Sequence, residues 1–126
     1  MARLATTFSE LVDWTATNDP HGTVLSWWRR VDRAVDKFYA SKGEARPNRI
    51  RDVERDLARA PNIGQSGVEL FQKLRKERNE VAHGDVPNLT REDAVRFAQE
   101  AFRIGWAILG LQLPELEVIE VHESAV

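Results

Sequence analysis

Apolar residues in this chain recur at three- and four-residue intervals in five successive blocks, separated by clusters of Gly, Pro, Asn and Asp. That spacing is the period of an α-helix and leaves no room for a sheet protein, whose strands alternate every second residue. The first block is Leu4, Phe8, Leu11, Val12 and Thr15, with Thr7 and Glu10 at capping-box spacing. Asn18-Asp19-Pro20 then supplies an N-cap and a proline at the first helical position. Val24, Trp28, Val31, Val35 and Phe38 form one stripe of a long second helix that should end at Gly43. Arg46-Pro47-Asn48 restarts the chain, and Ile50, Val53 and Leu57 mark a short third helix whose other faces carry Arg and Asp. Ala60-Pro61-Asn62-Ile63-Gly64 breaks it.

Ser66-Gly67-Val68-Glu69 has capping-box spacing, which predicts a fourth helix from about Gly67 to His83, stopped by Gly84. Thr90-Arg91-Glu92-Asp93 repeats the pattern and opens a fifth helix reaching about Gly110. From Ala101 to Leu113 the sequence is apolar on nearly every helical face apart from Arg103 and Gln112, so this stretch must be enclosed by its own bundle or by another subunit. Glu115 to Val121 partly alternates like a strand but has no partner, and reads as a tail or edge segment. There is no internal repeat. The expected architecture is an all-α antiparallel bundle of about five helices, one domain over residues 1–113, followed by an acidic tail over 114–126.

Composition narrows the function. A chain of 126 residues can bury a single core, and 42% hydrophobic with 30% charged residues is the balance of a globular domain. The cysteine count of zero excludes a disulfide framework, a thiolate zinc site and a cysteine nucleophile. No long apolar run occurs, and Met1 to Thr7 lacks the apolar core of a signal peptide, so the expectation is a cytoplasmic protein without membrane contact. No cofactor or metal motif appears either: the sequence has no His-x-Glu zinc pattern, Gly-rich phosphate loop or Gly-x-Ser-x-Gly elbow. The net charge of −2 conceals an asymmetry: Trp27 to Gly84 holds 14 Lys+Arg against 9 Asp+Glu, whereas residues 85–126 hold 3 against 8. Solvated helix faces produce such runs without any partner.

Chemistry concentrates at the end of the fourth helix. On a wheel of about 100° per residue from Val68, the apolar residues Phe71, Leu74, Val81 and Ala82 centre near 280°, and Arg78 falls at that same angle. A guanidinium on a core-facing stripe needs an anion, because an unpaired buried charge costs several kcal/mol. Asn79 and His83 are spaced i, i+4 on the adjoining edge, so three polar side chains converge. Two accounts are open. Arg78 pairs internally with Asp32 or Asp36, leaving His83 as a favourable cation at a helix C-terminus. Alternatively, the three residues are a site. Histidine can exchange protons near neutral pH, and arginine offers a planar fork to phosphate oxygens.

The string Arg78-Asn79-Glu80-Val81-Ala82-His83-Gly84, at the close of a helix late in a bundle of this length, resembles the signature of the HEPN superfamily: Arg, a polar residue, and His after a short spacer. The resemblance implies an all-α fold, a homodimer, and a shared cleft in which the Arg and His of two subunits cut RNA without metal. It assigns catalysis to Arg78 and His83, with Asn79 orienting or polarising the site. Lys73, Arg75 and Lys76 on the same helix are candidate RNA contacts, and the apolar late helix together with the motif helix is the candidate dimer surface. A toxin or defence effector, held by an antitoxin or other partner protein, fits this class. In members neutralised by modification of a Tyr two residues after the His, that position is occupied; here it is Asp85, so that mode of control is not implied. The alternative is a non-catalytic helical module that binds a nucleotide, RNA or a partner protein.

Three weaker signals remain. His21 and His122 read as surface residues, one in a turn and one in the tail. Trp27 and Trp28, beside Arg29, Arg30, Arg33 and Lys37, read as core packing before base stacking. Arg46, Arg49, Arg51, Arg55 and Arg59 either track an RNA backbone or pair with the interleaved Asp52, Glu54 and Asp56.

Overall fold

The computed structural model describes residues 12–110, all helices and turns, with no strand among the described residues. Helix α1 is seen over 12–18, α2 spans Pro20–Ala40, α3 Ile50–Arg59, α4 Gly64–Ala82 and α5 Arg91–Ile108. The chain is an all-α helical bundle. The Thr7–Glu10 cap, the apolar positions Leu4, Phe8 and Leu11, the domain boundary at 113, His122 and the strand-like tail lie outside the described residues.

Local chemistry accounts for the helix ends. The Asp19 carboxylate accepts from the Gly22 N–H at 3.0 Å, and Pro20 follows the cap. A Cβ at residue 22 would require the Asp19 carboxylate to shift from its present position. Thr90 and Asp93 form the reciprocal box at the start of α5, each side chain bonded to the other's backbone N–H. The Ser66–Glu69 box is not what starts α4. Ile63 and Gly64 both donate to the Ala60 carbonyl at 3.0 Å and the Ile63 side chain is buried, so the helix begins before Ser66, which arrives too late to cap it.

The core lies between α2, α4 and α5. All five residues of the predicted α2 stripe are buried, as are Phe71, Leu74 and Val81 of α4 and Phe97, Ala98, Ala101, Ile104 and Ile108 of α5. Small residues at 94, 98 and 101 let α5 lie close along α2. The Trp28 and Phe71 rings meet at 5.4 Å between centroids, and Trp27 and Trp28 are each only 7% exposed, which settles both as core residues. Trp106 of α5 and Leu109, the residue that caps it, are exposed, so the helix is not enclosed all round.

Helix α3 is held by two polar ties. Tyr39 donates its hydroxyl to Asp56 at 2.6 Å; burial, then that carboxylate, pushes the phenol well above its ordinary range. Arg46, in the segment leading into α3, forks to Asp32 and Asp36 of α2 at 2.8 Å each and also reaches the Asp32 carbonyl. A turn over 60–63 joins α3 to α4, so the two pack as an antiparallel pair from their joined ends. Their lengths are unequal: ten residues against 19. At about 1.5 Å per residue, α3 is too short to run the whole length of α4. No described helix is long and apolar enough to cross a membrane.

Candidate functional site

The open half of α4 carries the residues singled out by sequence. Its end is a Schellman turn: Asp85 N–H donates to the Glu80 carbonyl at 2.9 Å and Gly84 N–H to the Val81 carbonyl at 3.1 Å. That turn needs the left-handed backbone that Gly84 adopts at φ +75°. His83 is the cap residue, its N–H bonded to the Asn79 carbonyl at 3.0 Å, so the imidazole is mounted on a well-terminated helix. The side chain is exposed.

Arg78 is half-buried, not sealed in the core. Its angular position is the apolar one, yet Ala82, expected on the same apolar face, is exposed, so this end of the stripe is not covered as its beginning is. Water therefore reaches the guanidinium. Arg78 Nη1 donates to Asn79 Oδ1 at 2.7 Å, and no carboxylate lies within ion-pair distance among the described residues. The internal pairing with Asp32 or Asp36 does not form, because Arg46 occupies both. Arg78 and Asn79 are thus hydrogen-bonded to each other and half-buried, and the exposed His83 caps the same helix one turn beyond Asn79.

The remaining candidates divide. Lys73 turns to α5 and pairs with Glu100 at 3.0 Å. Half-buried Arg75 and exposed Lys76 stay on the outer flank and make no ion pair among the described residues. Of the arginines around α3, Arg46 is spent on α2 and Arg55 on Asp52 and Asp56, leaving Arg49, Arg51 and Arg59 without a carboxylate among the described residues.

Behind the site, α4 meets α5 through a charged seam. Arg96 reaches Glu77 at 3.3 Å, Asp93 at 3.6 Å and Glu100 at 3.9 Å. Glu77 borders a cavity of about 160 Å³ formed with Val24, Val81, Val86, Leu89 and Phe97. One of its oxygens is buried without a hydrogen-bond partner, and burial pushes its carboxyl above the ordinary range.

His21 was read as a surface residue and is corrected by the fold. It is half-buried, and its Nε2 lies 2.8 Å from the Val86 carbonyl, which ties the start of α2 to the loop that follows His83. Sequence reading also missed the Arg46 clasp. Asp32 and Asp36, spaced i, i+4, were its visible signal.

The described residues include no group of three or more His, Cys, Asp or Glu placed to hold a metal ion. What the fold and the site define together is an all-α bundle in which a half-buried Arg78–Asn79 pair and an exposed His83 close one helix. Comparison of the chain with protein-family models, with curated proteins and with solved structures yields no match.

Proposed function

We propose that this protein is a metal-independent endoribonuclease of HEPN type, working as a homodimer, in the manner of a toxin or defence effector. The observation that supports the reading is the Arg78–Asn79 hydrogen bond on the helix that ends at exposed His83, with no carboxylate on Arg78 among the described residues.

The chemistry follows from these groups. The 2′-hydroxyl oxygen of RNA attacks the adjacent phosphorus, the P–O5′ bond breaks, and the products are a 2′,3′-cyclic phosphate and a free 5′-hydroxyl. One proton leaves the 2′-oxygen and one is delivered to the departing 5′-oxygen, so a base and an acid are both required. His83 moves protons. Arg78, oriented by Asn79, takes the negative charge that builds on the phosphoryl oxygens. A single chain offers one imidazole at this place, and two copies related by a two-fold axis offer two imidazoles and two guanidinium forks. Apolar surface at Trp106 and Leu109 of α5 is available for a second copy to cover.

The test is cleavage of a labelled single-stranded RNA. Arg78→Ala and His83→Ala should each abolish it, with helicity by circular dichroism and sedimentation unchanged. Undiminished cleavage by both variants defeats the assignment. Chelator should leave the rate unaltered, and loss of activity in EDTA would reveal a metal requirement. Saturable RNA binding by the wild-type chain with no product, even at high protein concentration, would favour the non-catalytic binding module.

A further inference from the structure

A cleft of about 430 Å³ opens between α1 and the first half of α2, lined by none of the residues assigned a role above. Trp14 lines it from α1, and Trp27 and Arg30 line it from α2. Trp14 is 66% exposed, the most open large apolar residue among those described, and its neighbours hold it there. Val12 and Ala16 on either side are buried in the core, and Asp13 pairs with Arg91 of α5. An indole fixed in water on an anchored helix is surface that a ligand can cover. Arg30 folds back over Trp27, its guanidinium carbon 4.5 Å from the ring centroid, and has no carboxylate within ion-pair distance among the described residues. A guanidinium held over a ring keeps its N–H edge for a planar anion. Asp19 lines the same cleft from the opposite end of this stretch, on the same side of α2 and about 16 Å along its axis. The cleft therefore carries a cation toward one end, a carboxylate toward the other and indoles between them.

We propose that this cleft is a nucleotide-binding site, in which Trp14 stacks on the base and Arg30 holds the phosphate. Its volume falls in the range of about 300–1,000 Å³ that small-ligand pockets occupy. Every base is planar and has a π-face, which matches an indole left open to water. The phosphate is drawn to Arg30 and repelled from Asp19. Asn18, whose amide nitrogen is bonded to the Trp14 carbonyl at 2.7 Å, and Asp19 present acceptor oxygens to the amino groups of a base. The distribution of charge thus sets the direction in which the ligand lies. A free nucleoside monophosphate and one unit of a single-stranded RNA offer the same chemistry. The site shares no residue with Arg78, Asn79 and His83, and stands whether or not those residues cleave RNA.

The experiment measures binding to the full chain by two probes. AMP is titrated by calorimetry, and a labelled single-stranded 2′-O-methyl RNA, which lacks the hydroxyl needed for cleavage, by fluorescence anisotropy. Trp14→Ala should weaken binding by about 5- to 150-fold, the range for loss of one stacked base, and Trp14→Phe should keep most of the affinity. Arg30→Gln should weaken binding by about tenfold or more and flatten its dependence on KCl. Trp106→Ala removes an exposed indole outside the cleft and should leave both affinities unchanged. Urea midpoints identify any variant whose loss comes from unfolding, and Trp14→Phe keeps the comparison if Trp14→Ala is one of them. Response of AMP to the cleft variants supports a site for the free nucleotide, and response of the oligonucleotide alone supports a site for one unit of a strand. Absence of binding by both probes, wild-type affinity in both Trp14→Ala and Arg30→Gln, or an equal loss from Trp106→Ala would overturn the proposal.

Discussion

The two flanks of α4 have opposite fates. Toward α5, Lys73 and Glu77 are knitted to Glu100 and Arg96 across a seam backed by Val81 and Phe97. Away from that seam, Arg75 and Arg78 are half-buried and His83 is exposed, and none of the three has a protein counter-ion among the described residues. The same helix thus spends one edge on holding the bundle together and keeps the other available. Charge that is paid out in ion pairs stabilises a fold; charge left over in one place calls for a ligand.

The contrast can be broken from either side. The largest effect expected is on chemistry: His83→Ala should lower single-turnover RNA cleavage by about 10²–10⁴-fold, the range for removing a general acid or base, with no change in urea midpoint. Close behind, on the stability side, Phe71→Ala removes the ring that packs against Trp28 and should cost about 3–5 kcal/mol in chemical denaturation. Asp19→Ala, which deletes the cap of α2, should cost about 0.5–2 kcal/mol. Arg75→Ala on the open flank should change stability by no more than about 0.5 kcal/mol; a substantially larger loss would mean that this flank is structural after all.

The smallest effect distinguishes the seam by its pH response. Burial raises the Glu77 carboxyl above 4.5 in the folded chain, so the folded state holds that proton more tightly than the unfolded one. The stability this contributes is fully present below the unfolded value and is lost as pH rises through the folded value. Wild-type protein should therefore lose ground against Glu77→Gln as pH rises from about 4 into the neutral range, read as diverging urea midpoints. Parallel midpoints across that range would show that Arg96 fully offsets the burial.

Much of the fold is written locally and so was legible. Asp19-Pro20, Thr90 with Asp93, and Gly84 act within four or five residues, and each ends a helix where its chemistry requires. What sequence alone misjudged is tertiary. The wheel angle of Arg78 is apolar, but whether the far end of the α4 stripe is covered depends on tertiary packing, which no wheel contains. The spacing from Ser66 to Glu69 is a true capping pattern overruled by the buried Ile63. His21 finds its acceptor 65 residues away. Arg78, Asn79 and His83 were visible as candidates because all three lie within one and a half turns at the close of a single helix.

The segment leading into α3 has an architectural consequence. Proline at 47 disfavours a helical Arg46, and Arg46 is itself clasped by two aspartates of α2, so α3 has no way to begin one turn sooner. The start of the short helix is thus dictated from outside it, by a proline and by an anchor on a neighbouring element, and not by its own apolar content.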